Sequence, residues 1–235
     1  MKALQTIGCW TVAISFAAMV APKARAQEGD PNKITEHDKK VFRDLVNGRK
    51  AKAEARVRLL LAITNARQIG LALFEFENEY ATFPDGETAV AVKQATGTTA
   101  EVKAVTANDC FFQLIAADNV KTDRIFSLDE PAAPEKAEKR KPLEKIAKCS
   151  FAYVSGMNAA RNPSTPVVVA PLVDGKTTFD PQVLGGKAVI LRVDNSVSTL
   201  PIGADGRVLI DGKDVFDPAQ PFWNGKVPPI KWPQK

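Results

Sequence analysis

The sequence predicts an α+β fold in which a long N-terminal α-helix packs on a C-terminal antiparallel β-sheet, with short helices and a charged loop between them. Apolar residues recur at spacings of three and four from Leu59 to Tyr80, as on one face of a helix. After Cys149 the pattern changes to short runs rich in Val, Ile and Leu, bounded by Gly, Pro, Asn and Asp, as in antiparallel strands. The composition, 45% hydrophobic and 25% charged, is that of a globular protein.

Residues 1–26 have the pattern of a secretory signal peptide. Lys2 precedes an apolar run from Ile7 to Ala21, and Ala24-Arg25-Ala26 offers a cleavage site before Gln27. The run is about 15 residues, whereas a membrane-spanning helix needs roughly 20. No later segment looks long and apolar enough to cross a membrane. We therefore expect a periplasmic or secreted protein, and the alternative is that the signal stays as an anchor.

The net charge of +5 comes largely from this signal. The whole chain has 32 Lys and Arg against 27 Asp and Glu, and the signal holds three of the basic residues and no acidic one. The remaining chain has 29 basic and 27 acidic residues, a net charge of +2. Such a small surplus does not indicate nucleic-acid binding. His37 is the single histidine, which excludes multi-histidine metal sites.

Residues 27–58 predict a polar, basic helical arm that precedes a globular head over residues 59–235. From position 43 to 58, six basic side chains accompany only Asp44 and Glu54, with little apolar material. The interpretation is a solvated arm, with docking onto an acidic protein partner as the functional alternative. Interleaved aromatic residues, which nucleic-acid binding would need, are absent, and the apolar residues are too few for a membrane surface. The candidate partner-binding residues are Arg43, Arg49, Lys50, Lys52, Arg56 and Arg58.

The second half of the long helix should be largely wrapped by protein. Its predicted buried face is flanked by further apolar residues, and Asn47-Gly48 is a candidate break before it. The face consists of Leu59, Ala62, Ala66, Ile69, Leu73, Phe76 and Tyr80, and the flanks of Leu60, Leu61, Ile63, Leu71 and Phe74. The sequence Phe83-Pro84-Asp85-Gly86 ends the helix in a turn.

The rest of the head divides into three parts. Residues 87–95 and 108–117 predict two short helices. Residues 129–148 contain 11 charged side chains of both signs and three prolines, which predicts a charged flexible loop. The predicted strands cover residues 151–155, 166–173, 187–194, 197–202 and 207–210, and the turn Asp194-Asn195-Ser196 makes the third and fourth a hairpin.

Cys110 and Cys149 are the cysteines that remain once the signal, with Cys9, is removed. Disulfides persist in an oxidising compartment, so we expect a structural disulfide between them. The alternatives are a thiol nucleophile or a metal pair. Neither a CxxC spacing nor a neighbouring histidine supports those alternatives.

The sequence holds no catalytic or cofactor motif, and we expect that the protein is not an enzyme. There is no GxSxG around any serine, and Gly175-Lys176-Thr177 lacks the upstream glycine of a phosphate-binding loop. Four aspartates close together could supply oxygen ligands to calcium, although the spacing is not that of an EF-hand and Asp-Gly pairs are typical of plain turns. These are Asp205, Asp211, Asp214 and Asp217.

The string Asn65-Ala66-Arg67-Gln68-Ile69-Gly70-Leu71-Ala72-Leu73, followed by Glu79-Tyr80-Ala81-Thr82-Phe83-Pro84, resembles the helix-to-head junction of the type IV pilin and type II secretion pseudopilin superfamily. The resemblance covers roughly residues 60–235. It implies a pilin-like head. Some pseudopilins bind calcium in C-terminal loops, which is the alternative for the four aspartates, but we expect plain turns there and no cofactor. Supporting matches are residues 108–115, 151–156, 193–197 and 230–233.

The N-terminus departs from that family. A prepilin has Gly before its cleavage point, Glu five residues into the mature helix, and about 20 apolar residues; here Cys9 follows Gly8, and Ala13 stands at the Glu position. A charged helix in a filament core would carry unpaired charges at a cost of several kcal/mol. The resemblance therefore implies the fold but not filament membership. We expect a non-enzymatic protein that makes protein-protein contacts in a secretion or cell-surface assembly, or alternatively a module that binds a small ligand or peptide.

Overall fold

The structure, a computed structural model, describes residues 36–129 and 143–234. The chain divides into two units at Arg43 and Asp44, and of the first unit the structure describes residues 36–43. The predicted signal peptide, the start of the arm and most of the charged loop (residues 130–142) lie outside the described residues. Within those limits the protein has the predicted α+β fold, with a long helix followed by short helices and an antiparallel sheet.

The long helix α1 (Glu36–Tyr80) continues through Asn47-Gly48, so the candidate break is absent. It ends where Ala81 adopts a φ of 64°. Helix α2 (Gly86–Thr96) begins with a capping box between Asp85 and Thr88, and α3 (Ala107–Ala116) begins with one between Thr106 and Asp109. Such boxes satisfy backbone N–H groups that the first helical turn leaves without partners. A short 3-10 helix (Asp123–Phe126) follows.

The strands are β1 (Ala152–Val154), β2 (Pro166–Ala170), β3 (Lys187–Arg192), β4 (Val197–Pro201), β5 (Leu209–Ile210), β6 (Lys213–Asp214) and β7 (Ile230–Lys231). Five of them form one antiparallel sheet in the order β4-β3-β2-β1-β7. The predicted β3–β4 hairpin is confirmed, with Leu191 paired to Val197 next to the turn. The predicted strand over 207–210 corresponds to β5, which pairs with β6 in a separate two-stranded sheet. Strands β6 and β7 were not predicted.

One face of α1 shares the hydrophobic core with the sheet and α3. The residues of that face that are buried are Ala62, Ala66, Ile69, Leu73 and Phe76. Leu59 and Tyr80 are partly buried. The prediction that flanking residues wrap the helix is wrong at two positions, because Leu60 is 59% exposed and Leu71 is 56% exposed. Both residues lie on the side of the helix that faces away from the core.

Candidate partner-binding surface

The predicted partner-binding residues are exposed side chains of α1. Arg43 belongs to the first unit; the other five belong to the second and are here called the basic segment: Arg49, Lys50, Lys52, Arg56 and Arg58. Within the described part of the chain, the ion pair that involves this segment joins Lys50 Nζ to Glu54 Oε1 at 4.0 Å. An exposed pair of this kind contributes about 0.3–0.5 kcal/mol at most. The segment therefore keeps most of its positive charge available.

The basic segment is attached to the head at its C-terminal end. Ala55 is 9% exposed, and a Cβ added at Gly185 would lie 3.4 Å from the Cβ of Ala55. Val57 and Arg58 border a cavity of about 220 Å³ that is also lined by Leu128. The contact between helix and head thus begins at Ala55, four residues before the predicted boundary at Leu59.

The same helix exposes apolar side chains that the sequence reading had underestimated. Leu45, Val46 and Val57 are each about half exposed, at 51%, 45% and 51%. With Leu60 and Leu71 they make up five of the nine exposed large apolar side chains in the described part of residues 44–234. The spacing of Val46, Val57, Leu60 and Leu71 could have revealed a second apolar stripe, but the stronger stripe that forms the core obscured it.

Cys110 and Cys149 do not form the predicted disulfide in the structure, where both are free, buried thiols. The Sγ of Cys149 donates a hydrogen bond to the carbonyl oxygen of Phe151 at 3.3 Å. Burial raises the pKa of each thiol from 9.0 to about 12. Each is therefore protonated at neutral pH, whereas a nucleophilic cysteine or a metal ligand must be a thiolate.

Three of the four aspartates considered for calcium have other partners. Oxygens of Asp205, Asp214 and Asp217 accept backbone N–H groups in turns, at 2.7–3.1 Å. The Nε of Arg207 lies 3.7 Å from carboxylate oxygens of both Asp205 and Asp214. Among the residues that the structure describes, no group of three or more His, Cys, Asp or Glu side chains is arranged to hold a metal ion.

Two cavities lie beside the C-terminal end of the chain. One, of about 480 Å³, is lined by apolar residues that include Leu128 and Leu172, by Asp174 and Asp180, and by the ion pair of Asp129 with Lys148 at 3.0 Å. The other, of about 610 Å³, is lined in part by Asp174, Trp232 and Pro233. Both volumes fall within the range of small-molecule sites.

Part of helix α1 has the length and composition of a membrane span. In the described residues, one helical segment, Lys39–Tyr80, is long and apolar enough to cross a membrane by length and composition alone, and 39% of its most apolar window is buried. This differs from the expectation that no segment after the signal would pass. Core helices of soluble proteins pass the same test, and the apolar part of α1 supplies the buried face described above.

Comparison of the chain with protein-family models, with curated proteins and with solved structures found no match.

Proposed function

We propose that this chain is a non-enzymatic, exported, pilin- or pseudopilin-like protein that makes protein-protein contacts in a secretion or cell-surface assembly. The observation that carries the proposal is the basic segment of α1. Its five basic side chains are exposed, and in the described part of the chain only Lys50 among them forms an ion pair, with Glu54. Exposed charge of one sign guides association with a surface of opposite sign. An acidic protein partner in the cell envelope is the complement that this surface requires.

The position of the pilin-like string supports the proposal. Asn65, within the string, is buried and its Nδ2 donates a hydrogen bond to the carbonyl oxygen of Ser127 at 3.0 Å. Gly70 lies against Leu191 and Asn195 of the β3–β4 hairpin. The Tyr153 hydroxyl donates to the carbonyl oxygen of Pro84, directly after the helix, at 2.9 Å. The string therefore supplies contacts that attach the helix to the head, as the resemblance implies.

Co-purification from native envelope tests the proposal. A variant with Arg49, Lys50, Lys52, Arg56 and Arg58 changed to Gln should lose a stoichiometric protein partner that the unaltered chain retains at low salt and releases at high salt. The matched control changes five exposed basic residues outside α1 to Gln: Arg124, Arg161, Lys176, Lys187 and Lys226. Equal partner recovery with both variants would contradict the proposal, because the basic segment would then have no special role.

Binding of a small ligand or peptide is a second candidate function. The observation that favours it is the cavity of about 480 Å³, in which Asp174 and Asp180 border an apolar lining and Asp129 is paired with Lys148. Such a site suits a cationic group with an apolar portion. Native mass spectrometry of protein from its own compartment distinguishes the two candidates, because a ligand-binding module should carry a bound small molecule and no stoichiometric protein.

A further inference from the structure

The side of α1 that faces away from the core carries a narrow apolar stripe, here called the outer stripe. Its members are all exposed, and one of them, Val57, also borders the cavity of about 220 Å³ that Leu128 lines. They follow one another at steps of seven, four, three, four and seven residues. They are Val46, Ala53, Val57, Leu60, Thr64 and Leu71. Steps of three, four and seven return to the same side of a helix, and sustained spacing of this kind is typical of a helix-helix contact. The outer stripe is therefore a line of small and apolar side chains about 37 Å long, at 1.5 Å per residue, and it is interrupted at the turns that carry Lys50 and Arg67.

Three arginines border one edge of the outer stripe. Arg49, Arg56 and Arg67 are seven and eleven residues apart, and steps of seven and eleven also return to nearly the same side of a helix. All three are exposed. In the described part of the chain, none of these arginines takes part in an ion pair. The edge thus presents a row of guanidinium groups, each able to bind a carboxylate through two parallel hydrogen bonds.

We infer that the outer stripe and its arginine row bind an amphipathic α-helix of the partner protein, one with an apolar seam and an acidic edge. This inference rests on the proposed function and specifies the chemistry of the partner at the same helix. A partner helix of about 25 residues would match the length of the stripe. Its apolar seam would cover Val57 and Leu60, and its carboxylates would meet the arginine row.

A helix fits this surface better than a lipid bilayer does. Helices that lie in a membrane interface present a wide apolar face, whereas the outer stripe is about as narrow as a coiled-coil seam. Glu75 and Glu79, both exposed near the C-terminal end of α1, would also be repelled by anionic lipid headgroups. A second copy of this chain fits poorly as well, because its own outer stripe has an arginine edge instead of an acidic one.

A designed peptide probe tests the inference with purified protein. The probe is a fluorescent four-heptad helical peptide with Leu at the seam positions and Glu at the flanking positions; its control carries Lys in place of Glu. By fluorescence anisotropy the Glu peptide should bind, and the Lys peptide should bind at least ~10-fold more weakly. Binding of the Glu peptide should weaken as salt rises.

Two variants locate the binding on α1. The change Val57→Asp with Leu60→Asp should weaken binding of the Glu peptide by at least ~10-fold. Both residues are more than half exposed, so the variant should keep its fold, which circular dichroism verifies. The matched control, Val90→Asp, alters a residue of α2 that is 58% exposed and should bind the peptide as before.

Several results would overturn the inference: no binding of the Glu peptide, equal binding of both peptides, or binding unaffected by the changes at Val57 and Leu60. Sedimentation of the protein with phosphatidylglycerol vesicles in the absence of peptide binding would assign the stripe to lipid instead. The proposed function is tested separately, because the envelope co-purification depends on the basic segment and not on the shape of the partner. A chain that passes that test and fails here would bind its partner through charge without a helical seam.

Discussion

Gly70 allows α1 to approach the β3–β4 hairpin closely. A Cβ at this position would overlap Asn195 Oδ1 and would lie 2.9 Å from Asn195 Cγ and 3.1 Å from Leu191 Cδ1. Asn195 adopts a φ of 63° in the hairpin turn, and its Oδ1 is buried with no hydrogen-bond partner in the described residues. The close approach therefore fixes where the long helix meets the sheet.

Changing Gly70 to Ala should lower the free energy of unfolding by about 1–3 kcal/mol, because the added methyl group must displace the side chain of Asn195 and crowd that of Leu191. Gly48→Ala, on the same helix with nothing within 4 Å of its added Cβ, is the control and should be neutral or stabilising. Adding Asn195→Gly to Gly70→Ala should recover part of the loss, since Gly tolerates the positive φ and removes the overlapping amide. Urea denaturation measures all four proteins; equal stability of the two Ala variants would contradict this account.

The two thiols of the mature chain should be inaccessible and unpaired. In a chain that begins at Gln27, Cys110 and Cys149 should fail to react with a thiol reagent at pH 8, because both are buried and burial raises each pKa to about 12. After denaturation without reductant, two thiols should titrate. Zero thiols would show that the disulfide expected from the compartment forms after all, and rapid reaction of the native protein would contradict their burial.

Among the elements, α1 shows both the strength and the limit of sequence reading. Its buried face was predictable because Ala62, Ala66 and Ile69 recur with helical spacing. The outer stripe was not recognised, because Leu60 and Leu71 were interpreted as flanks of the buried face, and Val46 and Val57 as isolated apolar residues of a polar arm. Strand β7 was missed because a strand of two residues is too short to show the alternation of apolar and polar side chains. It is defined by its pairing with β1, of Tyr153 with Lys231 and of Val154 with Ile230.

The N-terminal part of α1 should contribute little to the stability of the head. Residues 44–54 are all exposed, and contact with the head begins at Ala55. A chain that begins at Ala53 should therefore melt within a few degrees of the full-length protein, because it buries almost the same apolar surface. It should lose affinity for an acidic partner, because it lacks Arg49, Lys50 and Lys52. A chain that begins at Ile63, which lacks Ala55, Leu59 and Ala62, is the comparison and should melt at a clearly lower temperature. Differential scanning calorimetry measures both, and a large fall for the first chain would indicate a structural arm.

At the scale of the whole molecule, the fold class could be predicted from two sequence patterns, the helical spacing up to Tyr80 and the short strand-like runs after Cys149. The candidate site depended on contacts between residues far apart in the chain, which a single sequence does not show. The positions of the basic residues were readable, but their attachment at Ala55 depends on Gly185, 130 residues further along the chain. Whether Cys110 and Cys149 pair could likewise not be predicted from the sequence. An oxidising compartment allows a disulfide to persist, but it does not bring two thiols within bonding distance.

The predicted export would set the context for every partner proposed above. Protein from its native compartment should begin at Gln27, or at its cyclised form, because Ala24-Arg25-Ala26 fits the small-residue rule of signal cleavage. Intact-mass spectrometry of the purified protein checks this. Protein in the membrane fraction that still begins at Met1 would contradict cleavage and would show that the signal is retained as an anchor.

Site-specific photocrosslinking in the native envelope tests the central claim, that the basic segment of α1 contacts another protein. A photoreactive amino acid replaces Lys52, which is exposed in that segment, and in a control chain it replaces Lys187, which is exposed on β3. The account predicts a discrete protein adduct from position 52 that disappears when Arg49, Arg56 and Arg58 are changed to Gln, and no comparable adduct from position 187. Adducts of equal yield at both positions, or none at position 52, would contradict it.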